Sequence, residues 1–152
     1  MYIGIPQALK SEHDELHAEL VKATREAGET GKAAQRVAEL LHPHFIQEEE
    51  FALPPLGLLT HLAAGTVTPE MESVLPMTNR LQKDLGTMLD EHKVILAALR
   101  ELAAAASKEG KPELILFAER LTNHARTEEE VLYPAALIVG EMVRMKLGIP
   151  GG

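Results

Sequence analysis

The segment His44-Phe45-Ile46-Gln47-Glu48-Glu49-Glu50, followed by Pro54, returns in the same register as His124-Ala125-Arg126-Thr127-Glu128-Glu129-Glu130, followed by Pro134. In each copy a histidine and a glutamate stand four residues apart, which places both on one face of an α-helix. A second pair repeats upstream, Glu12-His13 and Glu91-His92. The repeating unit is too long for a solenoid. It reads as one helical hairpin used twice, each copy offering two histidines and one glutamate.

Around these residues the apolar positions recur in steps of three and four, a helical and not an alternating period. The first seam is Leu9, His13, Leu16, Leu20, Ala23, Ala27, and the second is Ala34, Val37, Leu41, His44, Glu48, Phe51. The third is Leu81, Leu85, Met88, His92, Ile95, Leu99, Leu102, and the fourth is Leu114, Phe117, Leu121, His124, Glu128, Val131. Each seam is apolar except at one level. Gly and Pro mark the breaks. Pro6 precedes the first helix and Gly28 to Gly31 closes it; the second runs from about Lys32 to about Ala52. The third runs from about Thr78 to Ser107, and the fourth from near Pro112 to about Tyr133, with Pro134 as a bend and Ala135 to Lys146 as a candidate extra helix. With ~1.5 Å of rise per residue, the four seam histidines of an up-down-up-down arrangement meet at one height, to within about one turn. The predicted fold is all-α: a single domain over residues 1–152, an antiparallel up-down-up-down four-helix bundle over about 7–138. A long connection over about 53–77 packs across one end, and about 139–152 form a C-terminal extension.

Composition narrows the function. The 152 residues suffice for one domain with a real core. The net charge of −8 argues against nucleic acid or an anionic membrane as partner. With no cysteine, the chain has no thiolate nucleophile and no Cys-based metal site. Met1 to Pro6 carry no basic n-region, so the expectation is a cytoplasmic protein without a signal peptide. Four histidines and two glutamates pointing inward at one level would cost several kcal/mol if left without partners. A pair of metal ions resolves this. Imidazole and carboxylate suit iron, manganese or zinc. Each ion can take two of His13, His44, His92 and His124, while Glu48 and Glu128 bridge, and an octahedral preference leaves positions open for a small ligand.

These residues resemble the hemerythrin-like, or HHE, cation-binding domains. The resemblance rests on Glu12-His13, on His44 to Glu49 with Leu53-Pro54, on Glu91-His92, and on His124 to Glu129 with Leu132-Tyr133-Pro134, and covers roughly residues 7 to 138. It implies a bridged, non-haem centre of two iron ions, with manganese or zinc as other ions the ligands accept. His13, His44, His92 and His124 would be its nitrogen ligands and Glu48 and Glu128 its bridges. It implies binding of a small oxidant, dioxygen, nitric oxide or peroxide, for oxygen or redox binding or sensing. Peroxide disproportionation by an enzyme and iron sensing or storage are the alternatives, in a monomer or homodimer. Oxygen-carrying hemerythrins place two histidines a turn apart on the third helix. Here the flanking positions are Met88 and Leu96, and the candidate fifth histidine is His17, which lies off the first seam.

The remaining polar residues have plainer readings. Glu49, Glu50, Glu129 and Glu130, with Glu12 and Glu91, read as a solvated acidic face, the other reading being orientation of a histidine. His42 and His61 read as surface histidines, Tyr133 as packing, and Pro43 as a kink in helix two. Leu56, Leu58, Leu59 and Leu62 in the connection are candidates for a subunit interface. His13-Asp14-Glu15-Leu16-His17 looks like a zinc-peptidase HExxH, but with Asp second its base would be one carbon short.

Overall fold

A computed structural model describes residues 3–151, and among these all regular structure is helical. The four bundle helices are α1 (Gln7–Ala23), α2 (Gly28–Gln47), α4 (Leu75–Lys108) and α5 (Pro112–Thr127), joined by the short α3 (Leu59–Ala63) and completed by α6 (Tyr133–Leu147). This is the all-α four-helix bundle expected. Their seams meet in an apolar cluster that includes Leu16, Leu20, Val37, Leu41, Ile95, Leu99, Leu102, Phe117 and Leu121. A second cluster, with Phe51, Leu53, Leu56, Leu81, Met88, Tyr133 and Ala136, lies on the other side of the histidine level. The polar layer is therefore held between two apolar ones.

The first break differs from the reading above. α1 ends at Ala23, leaving Ala27 exposed, and Gly28 to Gly31 open α2 instead of closing α1. The reason is distant in sequence. No side chain of its own caps α2. Instead Glu109, from the turn between α4 and α5, accepts the backbone N–H groups of Glu29 at 3.1 Å and Thr30 at 2.9 Å, and the Thr30 hydroxyl as well. Those are donors a helix N-terminus leaves unpaired. Gly28 adopts φ +74°, and a Cβ there would collide with that carboxylate, so glycine serves both the turn and the cap. Lys111 closes the same end by donating to the Ala27 carbonyl at 3.0 Å.

At the end that carries His44 and His124, α2 and α5 each run into a π-helical turn, Glu48–Ala52 and Glu128–Leu132. Leu53 N–H donates to the Glu48 carbonyl at 2.9 Å, a bond one residue wider than α. Each wide turn lies just ahead of a proline, Pro54 or Pro134, whose ring would press on the carbonyl four residues back in a regular helix. Pro134 then lies in the first turn of α6, where its missing N–H costs nothing. Pro43, by contrast, is carried inside α2 without interrupting it.

The connection is ordered and mostly inward. Turns of 3-10 helix at Pro54–Leu58 and Pro69–Val74 flank α3. Leu58, Leu62, Met71 and Val74 pack with Val139 and Val143 of α6 as a third apolar cluster. Leu56, Leu58 and Leu62 are thereby buried within the chain, and of the four leucines proposed for an interface only Leu59 is exposed. The structure thus turns three of them from interface candidates into core. α4 begins at Leu75, earlier than its expected start near Thr78.

Candidate metal centre

All six seam residues converge. His13, His44, His92, Glu48 and Glu128 are at most 2% exposed and His124 is 8% exposed. His44, Glu48, His92 and Glu128 place ligand atoms around one point, and His13, His124 and Glu128 around a second. His44 Nε2 and His92 Nε2 are 2.7 Å apart. Glu48 Oε1 lies 3.5 Å from His13 Nε2 and 3.7 Å from His44 Nε2. Glu128 Oε1 lies 3.4 Å from His92 Nε2, and its Oε2 3.2 Å from His124 Nε2. Each carboxylate therefore stands between one histidine of either pair. The pairs cross the repeat: His44 of one hairpin meets His92 of the other, and His13 meets His124.

A rank of four glutamates stands behind the histidines. His92 Nδ1 donates to Glu129 Oε1 at 2.9 Å and His124 Nδ1 to Glu12 Oε1 at 2.6 Å. His13 Nδ1 faces Glu49 at 3.7 Å and His44 Nδ1 faces Glu91 at 3.8 Å. For His92 and His124, a proton held on Nδ1 by a carboxylate leaves the Nε2 lone pair directed inward. Glu49, Glu91 and Glu129 are thus only about a third exposed and face a histidine, which corrects their reading as solvated; Glu12 is solvated as expected, at 52% exposure, and also accepts from His124, while Glu50 and Glu130 face solvent. The sequence signal was the repeated Glu-His and Glu-Glu adjacency itself.

Tyr133 is likewise more than packing. It is fully buried, and its hydroxyl donates to Glu48 Oε2 at 2.8 Å while lying 3.3 Å from both His44 Nε2 and His92 Nε2. In a regular helix Tyr133, five residues after Glu128, would turn away from it. The π turn widens the spiral so that residues five apart share a face. The same shift sends Val131, expected in the seam, out to 55% exposure.

Electrostatics prepare the donor set. Burial holds the His44 imidazole down to about pKa 4, against the pull of the Glu48 charge, so it is a neutral donor at pH 7. For Glu48, burial pushes upward but is outweighed by His13, His44 and the Tyr133 hydroxyl, and the carboxyl stays below its ordinary value. Burial, reinforced by the Glu48 charge, raises the Tyr133 phenol well above its usual range, so it keeps its proton.

The residues fit a metal. Buried side-chain atoms with no hydrogen-bond partner include His13 Nε2, His124 Nε2, Glu48 Oε1 and Glu128 Oε2, all directed into this layer. Orphaned buried acceptors are costly and rare. Here they are lone pairs of the kind a first-row divalent ion takes up.

An open hollow of about 460 Å³ between α1 and α5, lined by Glu12, Glu15, Arg120 and Asn123, reaches His124. This explains why that histidine is the least buried of the four. His17 and His42 are not part of the layer; their rings face each other 5.8 Å apart on its outer side. His61, on α3, is exposed. Among the described residues no helix is long and apolar enough to cross a membrane. No curated protein and no solved structure matches the chain. The hemerythrin HHE cation binding domain does match it, over residues 4–136. With that match spanning most of its length, the chain belongs to the hemerythrin HHE cation-binding family.

Proposed function

We propose that His13, His44, His92, His124, Glu48 and Glu128 hold a pair of iron ions, and that the protein binds a small oxidant there: dioxygen, nitric oxide or peroxide. The observation that carries this is the layer of inward-directed, partnerless nitrogen and oxygen atoms between two apolar clusters. Bound iron would supply one-electron redox chemistry and open coordination positions for the oxidant.

The chain's own residues perform the rest. Glu12 and Glu129 hold His124 and His92 in one tautomer and one orientation. Leu16, Phe45, Met88 and Ile95 exclude water above and below the layer. The hollow beside His124 gives a diatomic or peroxide a polar approach. Tyr133 holds a proton on its hydroxyl against Glu48.

That hydroxyl favours a second reading, turnover of peroxide, because a buried O–H beside the layer can orient a peroxide oxygen by a hydrogen bond. Two measurements test the pair of readings. Protein purified without added metal should carry about two irons per chain, sharply fewer in His124→Ala. No bound metal, with stability unchanged when iron is offered, overturns the proposal. Sustained gas release from peroxide then selects the enzyme, and a reversible optical change with oxygen selects the binder.

A further inference from the structure

α6 is apolar on both of its sides. Tyr133, Ala136, Val139, Gly140 and Val143 face the bundle and are buried. The opposite side carries little charge. Of the fifteen residues of α6 only Glu141, Arg144 and Lys146 are charged. Arg144 turns back onto its own chain, donating to Asn79 at 2.7 Å and to the Pro150 carbonyl at 2.6 Å. A helix that is apolar all round is ordinarily covered all round.

Among the described residues, four large apolar side chains are more than half exposed. Three of them share this segment: Val131 at 55%, Ile138 at 65% and Met145 at 77%. They stand seven residues apart, with the half-buried Ala135 and Met142 on the steps between them. Apolar residues at alternating steps of four and three form a straight seam, the pattern by which one helix packs along another. Single exposed apolar residues need no partner, whereas a continuous stripe marks a contact surface.

The order of residues along the stripe points to what covers it. The pattern is symmetric about Ile138. When a second copy packs antiparallel, with a two-fold axis at Ile138, Val131 meets the partner's Met145 and Pro134 meets the partner's Met142. Glu130 and Lys146 stand eight residues to either side of Ile138, and both are exposed. The same axis therefore brings each Glu130 opposite the partner's Lys146, at both ends of the seam. Glu141 falls opposite Ala135, so no acid faces an acid. In a parallel pairing Glu130 would face Glu130 and Lys146 would face Lys146. Charge thus selects the antiparallel arrangement, which is self-complementary and closes as a dimer.

We propose that the outer face of α6 is the contact of a homodimer, in which two α6 helices pack antiparallel about Ile138 with Glu130 and Lys146 paired across both ends. The contact lies on the side of α6 away from Tyr133, so each copy keeps its own buried layer. The dimer does not depend on the reading of that layer as a metal centre.

The test is analytical ultracentrifugation of the full chain over a concentration series. Thermal unfolding of each variant, diluted to the monomer, checks that the fold is intact. Ile138→Lys sets two like charges together on the axis, at a position already open to solvent in one copy. The wild type should show a reversible monomer–dimer equilibrium, and Ile138→Lys should remain monomeric with an unchanged thermal midpoint. Glu130→Lys and Lys146→Glu should each weaken the dimer several-fold at low salt, and the double variant Glu130→Lys/Lys146→Glu should restore it. A wild type that stays monomeric at every concentration overturns the proposal and leaves the stripe to a different partner. A dimer that survives Ile138→Lys also overturns it, since the contact then lies elsewhere. Failure of the double charge exchange to rescue the single ones overturns the antiparallel arrangement.

Discussion

At Tyr133 a phenol oxygen lies 2.8 Å from Glu48 Oε2 and within 3.3 Å of two histidine nitrogens. Removing only that oxygen in Tyr133→Phe leaves the packed ring and deprives a buried carboxylate of a donor. The cost should be about 1 kcal/mol of stability, read as a lower urea midpoint of the metal-free protein. If peroxide turnover is the activity, it should fall in the same variant while iron content is retained. Glu129 offers a different case. Its carboxylate is a third exposed, yet it fixes Nδ1 of His92 at 2.9 Å. Glu129→Ala should weaken metal binding by about tenfold or more, measured by competition with a chelator. Glu130→Ala, one residue on and facing solvent, should leave it unchanged.

Among the helices, α2 depends on a cap it does not carry. Hydrogen bonds from Thr30 and from the Thr30 and Glu29 amides hold the Glu109 carboxyl down to about pKa 2, against an ordinary 4.5. A carboxylate depressed in the folded state stabilises fully above its unfolded value, and loses that contribution as pH falls through the folded one. Stability should therefore decline between about pH 4.5 and 2. Glu109→Gln should remove this part of the slope and lower the thermal midpoint at neutral pH, with faster hydrogen exchange in the first turn of α2. The docking of α6 on α4 is a matter of shape. A Cβ at Gly140 would meet the Thr78 side chain, with Cβ at 2.7 Å and Cγ2 at 3.0 Å, and Thr78 is itself buried. Gly140→Ala should cost about 1–3 kcal/mol through overpacking, checked by chemical denaturation.

In the molecule as a whole, the binding of metal and the stability of the bundle are linked. Four helices bring partnerless polar atoms to one level, and an ion that binds only the folded chain stabilises it by mass action. Free iron at about a hundred times its dissociation constant should add about 2.7 kcal/mol. A chelator should therefore lower the thermal midpoint of the wild type, and have little effect on a variant lacking His44 and His92. The two apolar clusters on either side of the layer make the effect global, since loosening the layer loosens both.

The four helices, their inward faces and six converging residues were legible in the chain itself. Periods of three and four are local, and a histidine such as His92 between Met88 and Ile95 marks its own helix face whatever that helix packs against. Position along each helix follows from the constant rise, so the common height of His13, His44, His92 and His124 could be read as well. Other features required neighbours distant in sequence. The pairing of His44 with His92 and of His13 with His124 depends on which helices lie adjacent, and the hairpin repeat does not specify it. Glu109 caps α2 only because the α4–α5 turn folds against it. Tyr133 enters the site, and Val131 leaves it, because one wide turn over Glu128–Leu132 breaks the period that helical patterning assumes. What depends on spacing within one helix was determined by the sequence alone. What depends on contacts between helices, or on a departure from regular helical geometry, was decided by the tertiary structure.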